Sequence, residues 1–150
     1  MPQIQTARYQ LPFLAVGQAQ KEITHNEALV LLDALISATI ISELSSAPTN
    51  LVETDAGKCW LIGSDAVGIW LGKMGQIACW TGGSWRYILP SEGMRIWKSN
   101  SDSQAIRRGT LWQESTSISA PTGGSVVDVE ARVVVAAILD LLRQSGILRL

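Results

Sequence analysis

A chain of 150 residues suits one domain, or a small domain with an appended helix. Its 12 basic and 13 acidic residues leave a net charge of −1, which gives no electrostatic case for nucleic-acid binding, since that normally requires a basic face. Hydrophobic residues reach 47% and the mean hydropathy is +0.19, so we expect another subunit to cover part of the apolar surface. No apolar run is long enough for membrane insertion, and the first ten residues do not resemble a signal peptide.

The first segment, residues 1–44, is predicted to be an irregular lead followed by a helix. A capping box formed by Thr24, His25, Asn26 and Glu27 predicts the helix start, and an earlier start near Gln18 is the alternative. These four residues are also expected to lie at a subunit or capsid interface. Apolar residues then cover most of the helix circumference, so burial on more than one side is expected. The candidate oligomer interface on this helix is Leu29, Leu32, Ile36 and Ile40.

The second segment, residues 51–114, is predicted to be a small antiparallel β meander rich in Trp and Gly. Short β-branched and aromatic runs alternate with glycines: KCWLIG, GIWLG, QIACW, WRYILP, MRIWKS and TLWQE. The best hairpin turn is Thr81-Gly82-Gly83-Ser84. A weak internal echo between IACWTGGSW and AIRRGTLW indicates two related hairpins.

A linker at residues 115–125, rich in Ser, Thr, Gly and Pro, leads to a helix predicted within 126–150. Asp128 is its predicted N-cap, and Gly146 its predicted C-terminal stop. The apolar face is again too broad for one flank of a small sheet. Its candidate interface residues are Val134, Ile138, Leu141 and Leu142. We therefore predict an α+β fold whose two helices join an oligomeric bundle.

Catalytic chemistry has few candidates in this chain. His25 is the single histidine, and no nucleophile elbow, phosphate-binding loop or dinucleotide motif is present. Cys59 and Cys79 are widely spaced in apolar runs, so we expect reduced core thiols rather than a disulfide or a metal pair. The sequence predicts no enzyme, no cofactor and no metal site.

The six tryptophans all fall in the sheet segment and allow two interpretations. They can supply bulk to the core of a sheet that has little Phe. They can also stack on sugar rings, and the candidates for such a glycan platform are Trp80, Trp85 and Tyr87. Trp80 and Trp85 flank one hairpin, so we expect one of them to face outward.

The stretch LPFLAVGQAQKEITHNEALVLLDAL, residues 11–35, resembles the opening signature of DUF2793, a family found in tailed phages and gene transfer agents. The matching positions include the run QAQK at residues 18–21, the run THNEAL at residues 24–29, and Leu32 with Asp33. The similarity continues through the Trp- and Gly-rich residues 68–93 and covers roughly residues 11–112. This family supplies no catalytic residues.

The resemblance implies a virion structural protein in a head spike or tail fibre, at the surface of a particle assembled in the bacterial cytoplasm. Absence of a large receptor-binding region favours a base, connector or short spike. The expected partners are further copies of the chain, first as a trimer and second as a pentamer, and capsid, spike or fibre proteins. The alternative function is a carbohydrate-binding module that recognises host capsular polysaccharide.

Overall fold

A computed structural model describes residues 4–17 and 19–148. Two helices, α1 (Lys21–Leu35) and α2 (Val129–Gln144), flank eight short strands. The strands are β1 (Thr39–Ile40), β2 (Glu43–Leu44), β3 (Cys59–Ile62), β4 (Ile77–Trp80), β5 (Trp85–Ile88), β6 (Arg95–Lys98), β7 (Ser103–Arg108) and β8 (Leu111–Glu114). The predicted α+β class is confirmed.

The strands form two sheets of four, in the orders β1-β6-β7-β8 and β2-β3-β4-β5. Each sheet joins a three-stranded antiparallel meander to one short parallel strand. The prediction of a single antiparallel meander is therefore wrong in extent and in pairing. The internal echo in the sequence corresponds to the two equivalent hairpins, β4–β5 and β7–β8.

The segment between α1 and the first meander links the two sheets. Ser99 N–H donates to the Ile40 carbonyl at 2.9 Å, so this segment pairs with the chain that follows β6. Ile41 N–H donates to the Cys59 carbonyl at 2.9 Å, so the same segment pairs with β3. One extended stretch thus supplies an edge partner to both meanders.

The first predicted helix, which was expected to include Ile36 and Ile40, extends too far at its C-terminal end. Helix α1 ends at Leu35, and Ile40 lies in β1 with none of its surface exposed. Three β-branched residues in a row, Thr39 to Ile41, favour extended backbone, and pairing with β6 and β3 satisfies their peptide groups. Ile40 therefore belongs to the core of the chain and is removed from the candidate interface.

One predicted strand is also wrong. The run GIWLG contains a single 3₁₀ turn, Gly68–Trp70, in place of a strand. Gly68 has φ of 62°, a left-handed conformation that interrupts extended backbone. The turn directs Trp70 inward, where none of its surface is exposed. Trp60 and Trp80 lie in β3 and β4, whereas Trp70 between them lies in the 3₁₀ turn.

The predicted hairpin turn between β4 and β5 is confirmed. Thr81 N–H donates to the Ser84 carbonyl at 2.9 Å, and the Thr81 hydroxyl donates to the same carbonyl. This turn sets the register in which Trp80 lies directly opposite Trp85.

The core comprises two clusters. The first contains residues from α1, from the linking segment and from both sheets: Ala34, Ala38, Ile40, Cys59, Leu61, Ile77, Cys79, Ile88, Ile96 and Ala105. The second contains Trp60, Ile62, Ala66, Trp70 and Ala78. The first cluster therefore holds the two sheets and α1 together.

The lead is attached to α1 by one buried carboxylate. Asp33 accepts hydrogen bonds from the Thr6 hydroxyl at 2.6 Å, from Tyr9 N–H at 2.7 Å and from Arg8 N–H at 2.9 Å. The Arg8 guanidinium donates to the Asp33, Ala34 and Ser37 carbonyls at the end of the same helix. The lead thus supplies partners for a buried carboxylate and for carbonyls at the C-terminal end of the helix.

Asp33→Ala is expected to lower the free energy of unfolding by about 3 kcal/mol, because three donors lose a charged acceptor and one of them, Thr6, is itself buried. Urea unfolding followed by tryptophan fluorescence measures this loss. Glu53→Ala removes an exposed carboxylate and serves as the control, with an expected change below about 0.5 kcal/mol. Equal stability of the two variants would contradict the role of Asp33.

Candidate functional site

Helix α2 has the predicted start and stop. The Asp128 carboxylate accepts a hydrogen bond from Ala131 N–H at 2.9 Å, which confirms the N-cap. At the other end, Ile147 N–H donates to the Leu142 carbonyl and Gly146 N–H donates to the Arg143 carbonyl, both at 2.9 Å. These two bonds are the Schellman arrangement.

Gly146 also docks the end of α2 on the sheet of β6 and β7. Its φ is 68°, and a Cβ at this position would come within 2.2 Å of the Trp97 ring. The Gly146 carbonyl accepts a hydrogen bond from Gln104 N–H at 3.2 Å. A side chain at position 146 would therefore displace the helix end from the sheet.

The side of α2 that faces its own chain is narrow and partly polar. Leu139 is the only residue of the helix that is buried. Arg143 donates to the Ile118 carbonyl at 2.8 Å, and Arg132 donates to the Pro121 and Gly123 carbonyls. These two arginines hold the linker, which forms neither helix nor strand, against the helix.

The opposite side of α2 is apolar and exposed. The exposed fractions are 57% for Val134, 51% for Ile138 and 64% for Leu141, and Leu142 is half-buried. Val129, Val133 and Val135 are exposed as well. The α2 surface, defined as Val134, Ile138 and Leu141, is therefore a continuous apolar strip that the chain itself leaves uncovered.

Helix α1 contributes a second, smaller exposed group. Leu32 and Ile36 are more than half exposed, and Leu29 is half-buried. Ile23, in the first part of α1, is exposed as well. Three of the four interface candidates predicted in the first segment thus keep at least part of their surface outside the core.

The predicted helix start at Thr24 is wrong, because α1 begins three residues earlier at Lys21. Gln18, near which the alternative start was placed, lies outside the described residues. Gln20 precedes the helix with φ of 66° and gives no side-chain cap, and the Glu22 carboxylate accepts from Gly17 N–H at 3.3 Å. Helix-favouring residues before Thr24 extend the helix, and contacts with the lead set its start.

Two residues of the predicted capping box contact other parts of the chain, and the other two are exposed. Asn26 brackets Leu14, accepting from its N–H at 2.9 Å and donating to its carbonyl at 3.1 Å. Glu27 forms an ion pair with Arg86 of β5 at 2.9 Å. Thr24 and His25 are exposed. The motif therefore fixes the lead and α1 to each other and to the sheet, and its histidine lies at the surface.

The glycan-stacking candidates lie in the second core cluster. Trp85 contacts the rings of Trp60, Trp70 and Trp80, with centroid separations of 5.6, 5.3 and 5.2 Å. Trp80, Trp85 and Tyr87 are all half-buried against that cluster. Burial raises the pKa of the Tyr87 hydroxyl. Because cross-strand partners share a sheet face, Trp80 and Trp85 point to the same side of the sheet, and their rings pack against each other.

Within residues 4–17 and 19–148, neither helix combines the length and the apolar character that crossing a membrane requires.

These observations define an α+β protein of two linked four-stranded sheets whose candidate functional site is an exposed apolar helix surface. The chain belongs to the family described as protein of unknown function, DUF2793, whose sequence profile matches residues 25–113. That match runs from α1 through β8 and does not include α2. A comparison with curated proteins found no match.

Proposed function

We propose that this chain is a self-assembling structural protein of a phage virion or gene transfer agent particle. Its place is the base, the connector or the short spike of a head spike or tail fibre, at the particle surface. The observation that carries the self-assembly is the exposed α2 surface. The resemblance to DUF2793 supports the assignment to a phage or gene transfer agent particle.

An apolar strip of this kind is costly in water and gains free energy when it is covered. Burying apolar surface stabilises by about 25 cal/mol per Å², so several half-exposed Val, Ile and Leu side chains per helix supply a substantial driving force. The two arginines on the other side of α2 keep the strip directed away from the chain. A second copy of the same helix is the simplest partner, because it presents the same surface.

The spacing along α2 supports a bundle of parallel helices. Within the helix, Ala131, Val134, Ile138 and Leu141 are separated by three, four and three residues, and all four are exposed. The strip carries β-branched residues at both kinds of heptad position, which favours more than two helices. A trimer is the first choice because fibres commonly use it. A pentamer is the second choice and applies if the protein stands on a capsid vertex.

The carbohydrate-binding alternative has less support. Trp80 and Trp85 contact each other, and Trp85 also contacts the buried Trp60 and Trp70. The Lys73 ammonium lies over the Tyr87 ring, 4.8 Å from its centroid, so each candidate ring already has a partner within the chain. The role of direct recognition of host polysaccharide therefore ranks below assembly. Other particle proteins, such as a capsid or fibre subunit, are the additional partners of the proposed assembly.

The native mass of the purified chain tests the proposal. Size exclusion coupled to light scattering is expected to give three times 16.2 kDa, and five times that value would indicate the vertex arrangement. Dilution should shift the mass toward the monomer, because association depends on concentration. A monomer of 16.2 kDa at every concentration would contradict self-assembly.

A further inference from the structure

The two cysteines of the chain face each other across β3 and β4. Cys59 and Cys79 are register partners in this antiparallel pair, and both are free thiols. Partners that lie directly opposite point to the same face of a sheet. Both side chains belong to the first core cluster, where only 1% and 2% of their surfaces are exposed.

The backbone around this pair has the spacing that a disulfide needs. Trp80 N–H donates to the Lys58 carbonyl at 2.9 Å, so the adjacent position carries the ladder hydrogen bond. Because bonded and non-bonded pairs alternate in an antiparallel ladder, Cys59 and Cys79 form a non-hydrogen-bonded pair. The Cα atoms of such pairs lie about 4.5 Å apart, inside the disulfide range of about 4.4–6.8 Å.

We propose that Cys59 and Cys79 are an oxidation site, where a peroxide converts the two thiols into an intramolecular disulfide that joins β3 to β4. One thiolate attacks a peroxide oxygen, the O–O bond breaks, and hydroxide leaves to give a sulfenic acid. The second thiol then attacks this sulfur, forming the S–S bond and releasing water. Two thiols lose two electrons and two protons, and hydrogen peroxide is reduced to two water molecules.

Each thiol also donates a hydrogen bond to a backbone carbonyl close to it. Cys59 Sγ donates to the Gly57 carbonyl at 3.6 Å, and Cys79 Sγ donates to the Trp80 carbonyl at 3.8 Å. Since the thiolate is the reactive form, the thiol that loses its proton attacks the peroxide and the other resolves the sulfenic acid.

A small cavity gives a route to Cys79. It has a volume of about 30 Å³ and is bordered by Cys79, by Trp80 and by residues of the lead and α1, including Thr6, Phe13 and Asp33. One water-sized molecule fits a cavity of this size, and hydrogen peroxide is only slightly larger. Opening of the lead, which Asp33 holds in place, would widen the route.

The disulfide closes a loop of about 20 residues and restricts the unfolded chain, so it stabilises the folded protein. This inference stands independently of the proposed function.

The test compares the full chain before and after treatment with hydrogen peroxide under native conditions. The intact mass should fall by two hydrogen atoms, and peptide mapping should find one peptide linking Cys59 to Cys79. The melting temperature should rise by roughly 5–10 °C and return on addition of a reductant. Cys79→Ala should show neither the linked peptide nor the reversible rise in melting temperature. If this variant folds poorly, the comparison of the wild type before and after peroxide treatment still tests the proposal.

Two free thiols after native peroxide treatment would overturn the proposal. So would sulfinic acid at either position, or a disulfide between chains. Because Cys59 and Cys79 lie in the same chain, formation of their disulfide does not require self-assembly, and its failure is distinguishable from a failure of self-assembly.

Discussion

Ile138→Asp is expected to convert the assembled protein into monomers of 16.2 kDa. Ile138 lies in the middle of the α2 surface and is 51% exposed in the single chain, so the substitution leaves the fold of the monomer intact. In a helical bundle, however, the carboxylates of all copies would meet in an apolar seam. An unpaired buried charge costs several kcal/mol, so association should weaken at least ~100-fold.

Light scattering of the variant at the concentration used for the wild type measures this change. Leu111→Asp places the same charge at a residue that is 72% exposed in β8, far from the α2 strip along the chain, and should keep the native mass. Ile138→Leu keeps the apolar volume and should also assemble. Assembly of Ile138→Asp at wild-type strength would move the interface away from α2.

Trp70→Ala is expected to lower the free energy of unfolding by about 3–5 kcal/mol and the melting temperature by ~10 °C. Trp70 is fully buried, and its ring packs edge-on against Trp85, the half-buried hub of the second core cluster. Truncation would leave a cavity beneath β3 and β4 that the rigid strands cannot close. Thermal unfolding followed by circular dichroism, at one fixed protein concentration, measures the loss.

Ile69→Ala is the matched control for Trp70→Ala. Ile69 belongs to the same 3₁₀ turn but is 58% exposed, so its truncation should change the free energy of unfolding by less than about 0.5 kcal/mol. Similar losses in both variants would mean that the turn itself, rather than the buried ring, holds this part of the sheet.

The sequence predicts the part of the candidate site that lies on α2, because the apolar pattern of this one helix is enough to indicate which side chains are exposed. Val134, Ile138 and Leu141 were assigned to the interface because α2 is apolar over too much of its circumference, and all three are exposed. Leu142, also predicted at the interface, is half-buried because it lies partly on the side of α2 that carries Leu139. Ile40 is fully buried because it lies in β1 and not in a helix. Which apolar residues the chain buries for itself depends on distant segments, and no helical pattern contains that information.

The tryptophans illustrate the same limit. Composition predicted both a core role and a glycan platform, and the choice between them rests on where each ring points. Trp80 and Trp85 pack together because the turn at Thr81 to Ser84 sets them opposite each other. Trp70 packs against Trp85 from a 3₁₀ turn, whereas the sequence pattern GIWLG predicts a strand there. The pairing of Cys59 with Cys79 likewise became visible only with the register of β3 and β4.

The sequence by itself determined the features that a few neighbouring residues encode: the Asp128 N-cap, the Gly146 stop, the hairpin turn after Trp80 and the equivalence of the two hairpins. Local backbone preferences and short-range hydrogen bonds are sufficient for each of these. Only the tertiary structure decided the end of α1, the division into two sheets and the attachment of the lead through Asp33. These depend on contacts between distant residues, such as Thr39 with Trp97, whose free energy outweighs local helix propensity.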